Sequence, residues 1–576
     1  MIRFIALAAF ILTAACGKMT ESSRTRPGDG AVIYPATIIT MEAAHPSSDA
    51  VAVKDGKVLA VGDLNDLVEG YPGADVDETF ARMTILPGFI DPHVHMALSS
   101  IMYATTPVAP WPVEGALGPS IACPDRISLL ARLADIETAA PEGEPVIVWG
   151  YQDLAQGPIA RADLDAITTT RPLIVWHYSG HDFFLNSKAL EWTKITGALH
   201  EKFTGVEIDD EGEPTGRIFE DALPYLLRTL APYILSPDRV QKGLSDFSTL
   251  LNRGGVTTVS DLAYGVFGFD FENANIAGNW VSPEHSGYKL YLVPEARAFS
   301  AAFGEAAPQT IIDMAEGTKD APAPVLRQAK FFTDGAFYSE TMRLSAPYLS
   351  GQSEGTRGVW VTPPQSLAAA IKPYWDAGLQ IRIHSNGDAA QTATLAALEA
   401  LRASDKGRRF VIEHGGLFSA AAIEAAGALG ADVSAASHYV FYLGEAYQAA
   451  LGPERGQWIT PLASLARKGV HVSLHSDAPL APPFPLEAAS RHLTRATREG
   501  GVLTPEEALS ADTALKAITI DAARALGLEA EIGSIAPGKK ADFTILKENP
   551  LATSGDDWPA IPVWGVVLDG EKRPLR

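Results

Sequence analysis

Five short apolar segments of this chain each end on a side chain able to bind a metal ion, and this pattern limits the fold more than any other feature. These side chains are His93 and His95, Lys330, His384, His414, and Asp477. Apolar, β-branched runs that lead into glycine-containing turns are typical of buried strands. Because chemistry in a barrel of parallel strands sits at the carboxyl ends of the strands, we expect these side chains to meet there.

The pair His93 and His95 is the first of these strand ends. Alternate side chains of an extended strand share a face, so the two imidazoles point the same way, about 6.6 Å apart along the backbone. Neutral imidazole is the commonest protein ligand for zinc-like ions. Such a pair also arises by chance, so the prediction of a metal site depends on the ligands found elsewhere in the chain.

Lys330 lies where a core strand normally carries an apolar residue. Lysine inside a buried strand is costly unless its charge is paired or removed. A lysine that has reacted with carbon dioxide becomes an anionic oxygen ligand. The sequence therefore suggests that Lys330 is carbamylated.

Together these motifs resemble the amidohydrolase superfamily, and within it the group called amidohydrolase family 3 or YtcJ-like. The resemblance covers nearly everything after about residue 31. It rests on these segments: 87–95 (PGFIDPHVH), Lys330 with Asp334 and Gly335, His384 with Gly387 and Asp388, Glu413 with His414, 476–479 (SDAP), Gly180 with His181, 186–190 (NSKAL), 255–259 (GVTTV) and 533–542.

The resemblance implies a site for one or two divalent ions, with zinc expected. His93, His95 and Asp477 would hold the first ion. His384 and His414 would hold the second, and carbamylated Lys330 would bridge the two. Asp477 would also be catalytic, because it would take a proton from the attacking water and pass it to the leaving nitrogen.

Further residues are predicted to contact the substrate or to support the site. His181 and Asn186 in an inserted segment, and His438 after the seventh strand, are predicted to bind substrate, although His438 also fits an ordinary loop histidine. His475 is expected to be a hydrogen-bonded barrel residue rather than a ligand.

The strand count provides an independent argument for the fold, which is predicted as an α/β (β/α)8 TIM-like barrel. The eight expected strands are 84–91, 256–262, 288–294, 325–332, 379–384, 410–414, 432–436 and 470–476. Most are separated by enough residues for a helix, and the proposed ligands lie on the first, fourth, fifth, sixth and eighth.

The barrel is expected to span 84–532, with an insertion of about 100–250 after its first strand. This insertion would cover the active site. Its aromatic residues are candidates for an apolar pocket, although each of them also fits packing inside the insertion: Trp111, Trp149, Tyr151, Trp176, Tyr178, Phe183 and Phe184. Residues 31–83 and 533–576 read as short strands and are predicted to form one discontinuous β-sandwich beside the barrel.

The first residues resemble a bacterial lipoprotein signal. An apolar segment too short to span a bilayer leads to Thr13-Ala14-Ala15-Cys16, which predicts a signal peptide at 1–15, lipidation of Cys16 and a flexible tether at 16–30. The expected location is the bacterial cell envelope, as a periplasmic lipoprotein anchored in the outer membrane. The alternative is an ordinary secreted protein.

Composition narrows the range of partners. The 69 acidic residues exceed the 46 basic ones, giving a net charge of −23, which argues against nucleic acid as a partner. The expected partner is a small-molecule substrate, the membrane is reached only through the lipid anchor, and a homo-oligomer is left open.

The sequence predicts a metal-dependent hydrolase of a non-peptide C–N bond, such as an N-acyl amide or N-substituted formamide with an apolar substituent. The alternatives are cyclic-amide, lactone or deaminase chemistry on the same metals, or a lipoprotein that binds a ligand without turning it over.

Overall fold

The computed structural model describes residues 27–276, 287–405 and 407–575. The strands of these residues are β1 (Val32–Ile39), β2 (Ser47–Lys54), β3 (Lys57–Gly62), β4 (Asp75–Val76), β5 (Thr84–Pro87), β6 (Phe89–Val94), β7 (Thr106–Pro107), β8 (Val146–Tyr151), β9 (Leu173–His177), β10 (Asp182–Leu185), β11 (Val206–Ile208), β12 (Pro214–Phe219), β13 (Val256–Tyr264), β14 (Lys289–Pro294), β15 (Gln328–Phe332), β16 (Gln380–Ser385), β17 (Phe410–His414), β18 (Asp432–Ala436), β19 (Val472–His475), β20 (Phe543–Leu546), β21 (Val563–Leu568) and β22 (Glu571–Pro574).

The α-helices of the same residues are α1 (Leu64–Gly70), α2 (Met96–Met102), α3 (Arg126–Ala139), α4 (Asp153–Gln156), α5 (Arg161–Ile167), α6 (Ser187–Thr193), α7 (Leu223–Ile234), α8 (Pro237–Arg253), α9 (Phe269–Asn275), α10 (Ala296–Phe303), α11 (Ala307–Ala315), α12 (Pro364–Asp376), α13 (Asp388–Arg402), α14 (Ala420–Leu429), α15 (Tyr439–Leu451), α16 (Pro453–Gly456), α17 (Leu462–Arg467), α18 (Pro485–Thr494), α19 (Ala511–Ala517) and α20 (Ile520–Leu526). In this part of the chain no helix combines the length and apolarity needed to cross a membrane.

The predicted signal peptide, the lipidation site Cys16 and most of the tether lie outside the described residues. Lipidation and the envelope location therefore stay predictions.

Eight parallel strands form a ring at the centre of the protein. Strands β6, β13 and β14 make one sheet, and β15 to β19 make another in sequential order. Isolated parallel bridges link the sheets at both seams, one between Leu292 and Val325 and the other between Val94 and Ala478. Strands β17 and β18 are buried at every position, as expected for strands covered on both faces. Seven of these strands overlap segments expected from the sequence, and the first strand differs from its expected segment.

The first predicted strand, 84–91, is two strands. Residues Thr84–Pro87 pair with β1 and β20 outside the ring, whereas Phe89–Val94 enters it beside β13. Gly88 lies at the change of sheet, where a Cβ atom would come within 2.1 Å of Thr257 Oγ1. Only glycine fits this close approach, so the boundary of the barrel lies at Gly88 instead of residue 84.

The two ends of the chain meet in one sheet beside the ring. Its strand order is β22-β21-β20-β5-β1-β2-β3, and β4 pairs with β1. Strands from both predicted segments, 31–83 and 533–576, take part in this one connected sheet, and their arrangement as a sandwich stays a prediction. Strand β5 connects the halves because it pairs with β1 on one side and β20 on the other.

The insertion has a six-stranded sheet of its own, in the order β11-β12-β10-β9-β8-β7. Its predicted range of 100–250 is too long, because α8 belongs to the barrel. This helix leads directly into β13 and packs so closely on α2 that a Cβ on Gly243 would lie 1.8 Å from the Ser100 carbonyl oxygen. The insertion therefore ends near Ile234.

Five of the aromatic candidates for a pocket are buried in hydrophobic clusters. Tyr151 and Phe184 lie in a cluster formed within the insertion, whereas Trp149, Trp176 and Phe183 lie in a cluster that the insertion shares with the barrel. The two others reach the barrel side: the Trp111 ring stacks on Tyr442 at 4.3 Å between centroids, and Tyr178 packs against both of these rings.

Candidate metal centre

Asp477 meets the first two histidines at the seam between β19 and β6. Its Oδ1 atom lies 3.0 Å from His95 Nε2 and 3.4 Å from His93 Nε2. The backbone of this seam fixes the approach, because Asp477 N donates to His93 O and His95 N donates to Ala478 O. The three side chains form a group whose ligand atoms lie within 4.8 Å of one another, as the sequence predicts.

A second group shares His93 and adds His414 and His475. His414 Nδ1 is 3.5 Å from Asp477 Oδ2 and 3.2 Å from His475 Nε2. His475 also hydrogen-bonds through Nδ1 to Ser434 Oγ, so it has the bonded barrel position expected for it. Its ring nevertheless adjoins the proposed ligands more closely than the sequence indicates.

Two of the central residues have unusual backbone conformations. His414 has φ of 71° and Asp477 has φ of 55°. Residues other than glycine adopt this left-handed region rarely, and such positions concentrate at functional sites where the surrounding fold holds them in place.

Glu413 orients His93 from the side opposite Asp477. Its Oε2 accepts a hydrogen bond of 2.8 Å from His93 Nδ1, and its other oxygen accepts from Arg382 Nε. All three side chains are fully buried. With its proton on Nδ1, His93 presents the Nε2 lone pair to Asp477 and His95, which is the carboxylate–histidine arrangement common at metal sites.

Sequence reasoning assigned no role to Glu413 or Arg382. The signal that reveals them is a glutamate and an arginine inside apolar strands, where an unpaired charge is costly. The adjacent strands β16 and β17 place them as diagonal neighbours on the same face, since Arg382 pairs in register with Val411, two residues before Glu413.

His384 lies beside His414 but is bonded elsewhere. The two ring centroids are 4.4 Å apart, whereas His384 Nε2 lies 3.0 Å from Gly335 O and 3.1 Å from Asn386 Nδ2. His384 is therefore next to the centre without belonging to either ligand group of the described residues.

Lys330 is buried on the neighbouring strand, and its Nζ lies 5.2 Å from the Phe332 ring centroid. Among the described residues no carboxylate is within ion-pair distance of it. Burial lowers the pKa of Lys330 to about 8, although the charges of Glu413 and Asp477 oppose this shift. The neutral fraction near neutral pH is consequently larger than for an exposed lysine, and the neutral amine is the form that reacts with carbon dioxide.

Asn186 has a structural role, which corrects the predicted substrate contact. Its Oδ1 accepts from Ala189 N and Leu173 N, and its Nδ2 donates to Thr168 O and Arg171 O. The side chain is buried and all four bonds lie within the insertion, where it caps the start of α6.

His438 is also buried, at the residue preceding α15. Its Nδ1 bonds to Ser437 Oγ at 2.7 Å, and its Nε2 is 3.5 Å from Glu487 Oε1. With its side chain fully buried, His438 presents no surface to a substrate, so the interpretation as an ordinary histidine of the barrel fits it better.

His181 is the predicted substrate-binding residue that remains open to solvent. Its side chain is 40% exposed, compared with 19% for His95. Its Nδ1 lies 3.3 Å from Glu220 Oε1, a carboxylate to which the sequence reasoning assigned no role.

The donor set fits a divalent metal ion. His93 Nε2 is buried without a hydrogen-bond partner among the described residues and points at Asp477. Burial, and then the charge of Lys330, lower the pKa of His93 well below its usual value, while burial and His384 do the same for His414. Neutral imidazoles with free lone pairs beside a carboxylate are the ligands that zinc-like ions take.

Comparison with known proteins decides the family. A family model described as an amidohydrolase family matches residues 83–572, which include every proposed ligand. The chain belongs to the amidohydrolase family. As an amidohydrolase it is a hydrolase of C–N bonds, which confirms the superfamily and the enzyme class predicted from its motifs.

Two relatives match this amidohydrolase over most of their lengths. It is 24% identical over 559 residues to the putative amidohydrolase YtcJ of Bacillus subtilis (strain 168), which covers 94% of this chain and 98% of YtcJ. It is 25% identical over 570 residues to the N-substituted formamide deformylase of Arthrobacter pascens, which covers 95% of this chain and 98% of the deformylase.

The fold of the amidohydrolase is found among solved structures. A crystal structure of an uncharacterized metal-dependent hydrolase from Pyrococcus horikoshii OT3 matches with a TM-score of 0.66 at 21% identity. The match covers 91% of this chain and 99% of the archaeal one.

Proposed function

We propose that this amidohydrolase hydrolyses the C–N bond of an N-substituted formamide or a related N-acyl amide with an apolar substituent. The observation that carries the proposal is Asp477 lying against His93 Nε2 and His95 Nε2 at the carboxyl ends of the ring strands. The similarity to the Arthrobacter pascens deformylase over almost the whole chain supports an amide of this kind.

We propose zinc as the resident ion. His93, His95 and Asp477 would hold one ion, and His414 with His384 a second, with carbamylated Lys330 between them. When bound, such ions polarise a carbonyl and lower the pKa of water toward about 7. His384 would have to give up its contact with Gly335 O to bind through Nε2.

Asp477 is the residue that moves the proton in this reaction. Burial acts to raise the pKa of Asp477, but the His95 contact and neighbouring positive charges outweigh it, so the pKa lies below its usual value and the carboxylate is ionised. It takes a proton from water as the water oxygen bonds to the carbonyl carbon. It then gives that proton to the nitrogen as the C–N bond breaks, which leaves a carboxylic acid and an amine.

A cleft between the insertion and the barrel is a candidate pocket for the proposed substituent. It has a volume of about 530 Å³, and the aromatic residues Trp111, Phe441 and Tyr442 line it together with charged residues, which are Glu114, Glu487, Arg498 and Glu499. Tyr178 connects this cleft to the loop that begins with Asp477, because it packs on Trp111 and donates to the carbonyl of Leu480. A volume of this size suits a small organic group.

Metal analysis tests the proposed centre. We expect purified protein to hold about two equivalents of zinc, and Lys330→Met to hold about one, because the bridging ligand is lost. Chelation should abolish hydrolysis and added zinc should restore it. The control Lys372→Met removes an exposed lysine paired with Asp376 and should keep the full metal content. Equal stoichiometry in wild type and Lys330→Met would contradict the bridging role.

A substrate panel tests the proposed activity. The zinc-loaded enzyme should release amine from N-benzyl or N-alkyl formamides, or from N-acyl amino acids, because the centre activates water beside a proton carrier. Cyclic ureas, lactones and aminopurines complete the panel. Turnover confined to those three classes would overturn the amide proposal while leaving a working hydrolase. No turnover of any compound in the whole panel would favour a ligand-binding protein.

A further inference from the structure

His181 and Glu220 are held side by side by the sheet of the insertion. Strands β10 and β12 are antiparallel, with Asp182 opposite Phe219, so the residues just outside this pair come together at the end of the two strands. The Glu220 N–H donates to the His181 carbonyl, and His181 Nδ1 lies 3.3 Å from Glu220 Oε1. Glu220 has φ of 42°, a conformation rare outside glycine and found where a fold constrains a functional residue.

A buried hydrogen-bond network fixes the turn that carries His181. Asp153 Oδ1 is 2.9 Å from His177 Nε2, and His177 Nδ1 is 2.9 Å from Ser179 Oγ. That hydroxyl then accepts a hydrogen bond from the His181 N–H. Side chains positioned by locked neighbours hold their geometry, so His181 has a defined position despite being on a turn.

The same turn is bonded to barrel loops at the carboxyl ends of the strands. Tyr178 donates to the carbonyl of Leu480, in the loop that begins with Asp477. Gln152, at the end of the neighbouring strand β8, donates to the carbonyl of Tyr338 in the loop after β15. The turn is thus attached to the loop that begins with Asp477, and the neighbouring strand end of the insertion is attached to the loop after β15.

The charges around His181 come from the centre and from the insertion. The groups that act on it are Glu220, Asp182, Asp477 and His384. Burial acts to lower the pKa of His181, but Glu220, Asp182 and Asp477 outweigh it, so the pKa lies above its usual value. Because Nδ1 faces Glu220, the Nε2–H of the protonated ring has no hydrogen-bond acceptor among the described residues.

We propose that His181, oriented by Glu220, is a catalytic residue that donates from Nε2 to the carbonyl oxygen of the substrate as negative charge develops on it. This inference rests on the proposed amide hydrolysis. It makes the insertion part of the catalytic site, since the barrel supplies the proton carrier and the insertion supplies a hydrogen-bond donor to the oxygen. Glu220 is a positioning residue that acts through His181.

Kinetics of the zinc-loaded enzyme test this role. Removing a donor to a developing oxyanion lowers kcat by about 10²–10³-fold, so His181→Phe should lose this much kcat with little change in KM and full zinc content. His181→Gln, which keeps an N–H donor, should recover part of the loss. Activity should fall as pH rises through the pKa of His181, and Glu220→Gln should move that alkaline limb to lower pH because the carboxylate no longer favours the imidazolium.

The matched control is His200→Phe, which replaces another histidine of the insertion that bonds to the Val206 carbonyl. It should keep wild-type kcat. Unchanged kcat in His181→Phe would overturn the proposal, and so would loss of zinc from that variant, because His181 would then be a ligand.

Binding of an inert phosphonate analogue of the amide separates this inference from the proposed function. Calorimetry should show tight binding to the wild type and binding weaker by about 10²-fold or more to His181→Phe. Equal binding to both proteins would overturn the role of His181 alone. Failure of the wild type to bind the analogue would instead count against amide hydrolysis.

Discussion

Asp477→Asn is expected to lower kcat by about 10³-fold or more, since a positioned acid–base group contributes about 10²–10⁴-fold and this residue is also a proposed ligand. Asparagine has nearly the same shape but cannot take a proton from water. The variant should remain folded, because the backbone bonds at this seam, from Asp477 N to His93 O and from His95 N to Ala478 O, do not use the carboxylate. The measurement is kcat under excess zinc, with metal content and circular dichroism on the same samples.

The matched control is Asp376→Asn on α12, where an exposed aspartate pairs with Lys372. Exposed pairs of this kind contribute little, so activity and metal content should match the wild type. Asp477→Asn activity within about tenfold of wild type would exclude the acid–base role assigned to Asp477.

Glu413→Gln is expected to destabilise the protein by about 3–5 kcal/mol, because it leaves the buried Arg382 guanidinium without its charge partner. The same change disturbs the bond that keeps the His93 proton on Nδ1, so zinc affinity should fall by about 10–100-fold. Thermal unfolding of the metal-free protein measures the first effect. Competition with a chelator measures the second.

A second substitution distinguishes an unpaired charge from a general packing defect. Arg382→Met combined with Glu413→Gln should be less destabilised than the sum of the single variants, since neither charge then remains buried alone. Glu424→Gln, which breaks an exposed pair with Lys468, should change stability by less than about 1 kcal/mol. Strict additivity of the two buried changes would refute the proposed ion pair.

The proximity of three proposed ligands follows from local sequence pattern. His93, His95 and Asp477 lie close together, because alternation along a strand and the common rim of parallel strands depend only on that pattern. Asn186 was predicted to bind substrate, but its side chain instead makes four hydrogen bonds to backbone atoms of the insertion. Such bonds depend on how the chain folds back on itself, and a short motif does not show them.

The bounds of the strands and helices also depend partly on local sequence and partly on long-range packing. Residues 84–91 read as one apolar strand, whereas the transfer from one sheet to another at Gly88 depends on the approach of Thr257 from β13, which is distant in sequence and adjacent in space. The sequence-based range of the insertion included most of α8. The contact between α8 and α2 that places this helix in the barrel is likewise a property of packing.

What the sequence by itself determined is the family and the set of strand ends that carry the proposed ligands. These follow from residue type, strand periodicity and order along the chain. Only the tertiary structure decided which side chains orient the ligands and which face the solvent. Glu413 reaches His93, and Glu220 reaches His181, across 320 and 39 residues of chain. Long-range contacts between buried polar groups are set by sheet register and loop docking, which no local pattern encodes.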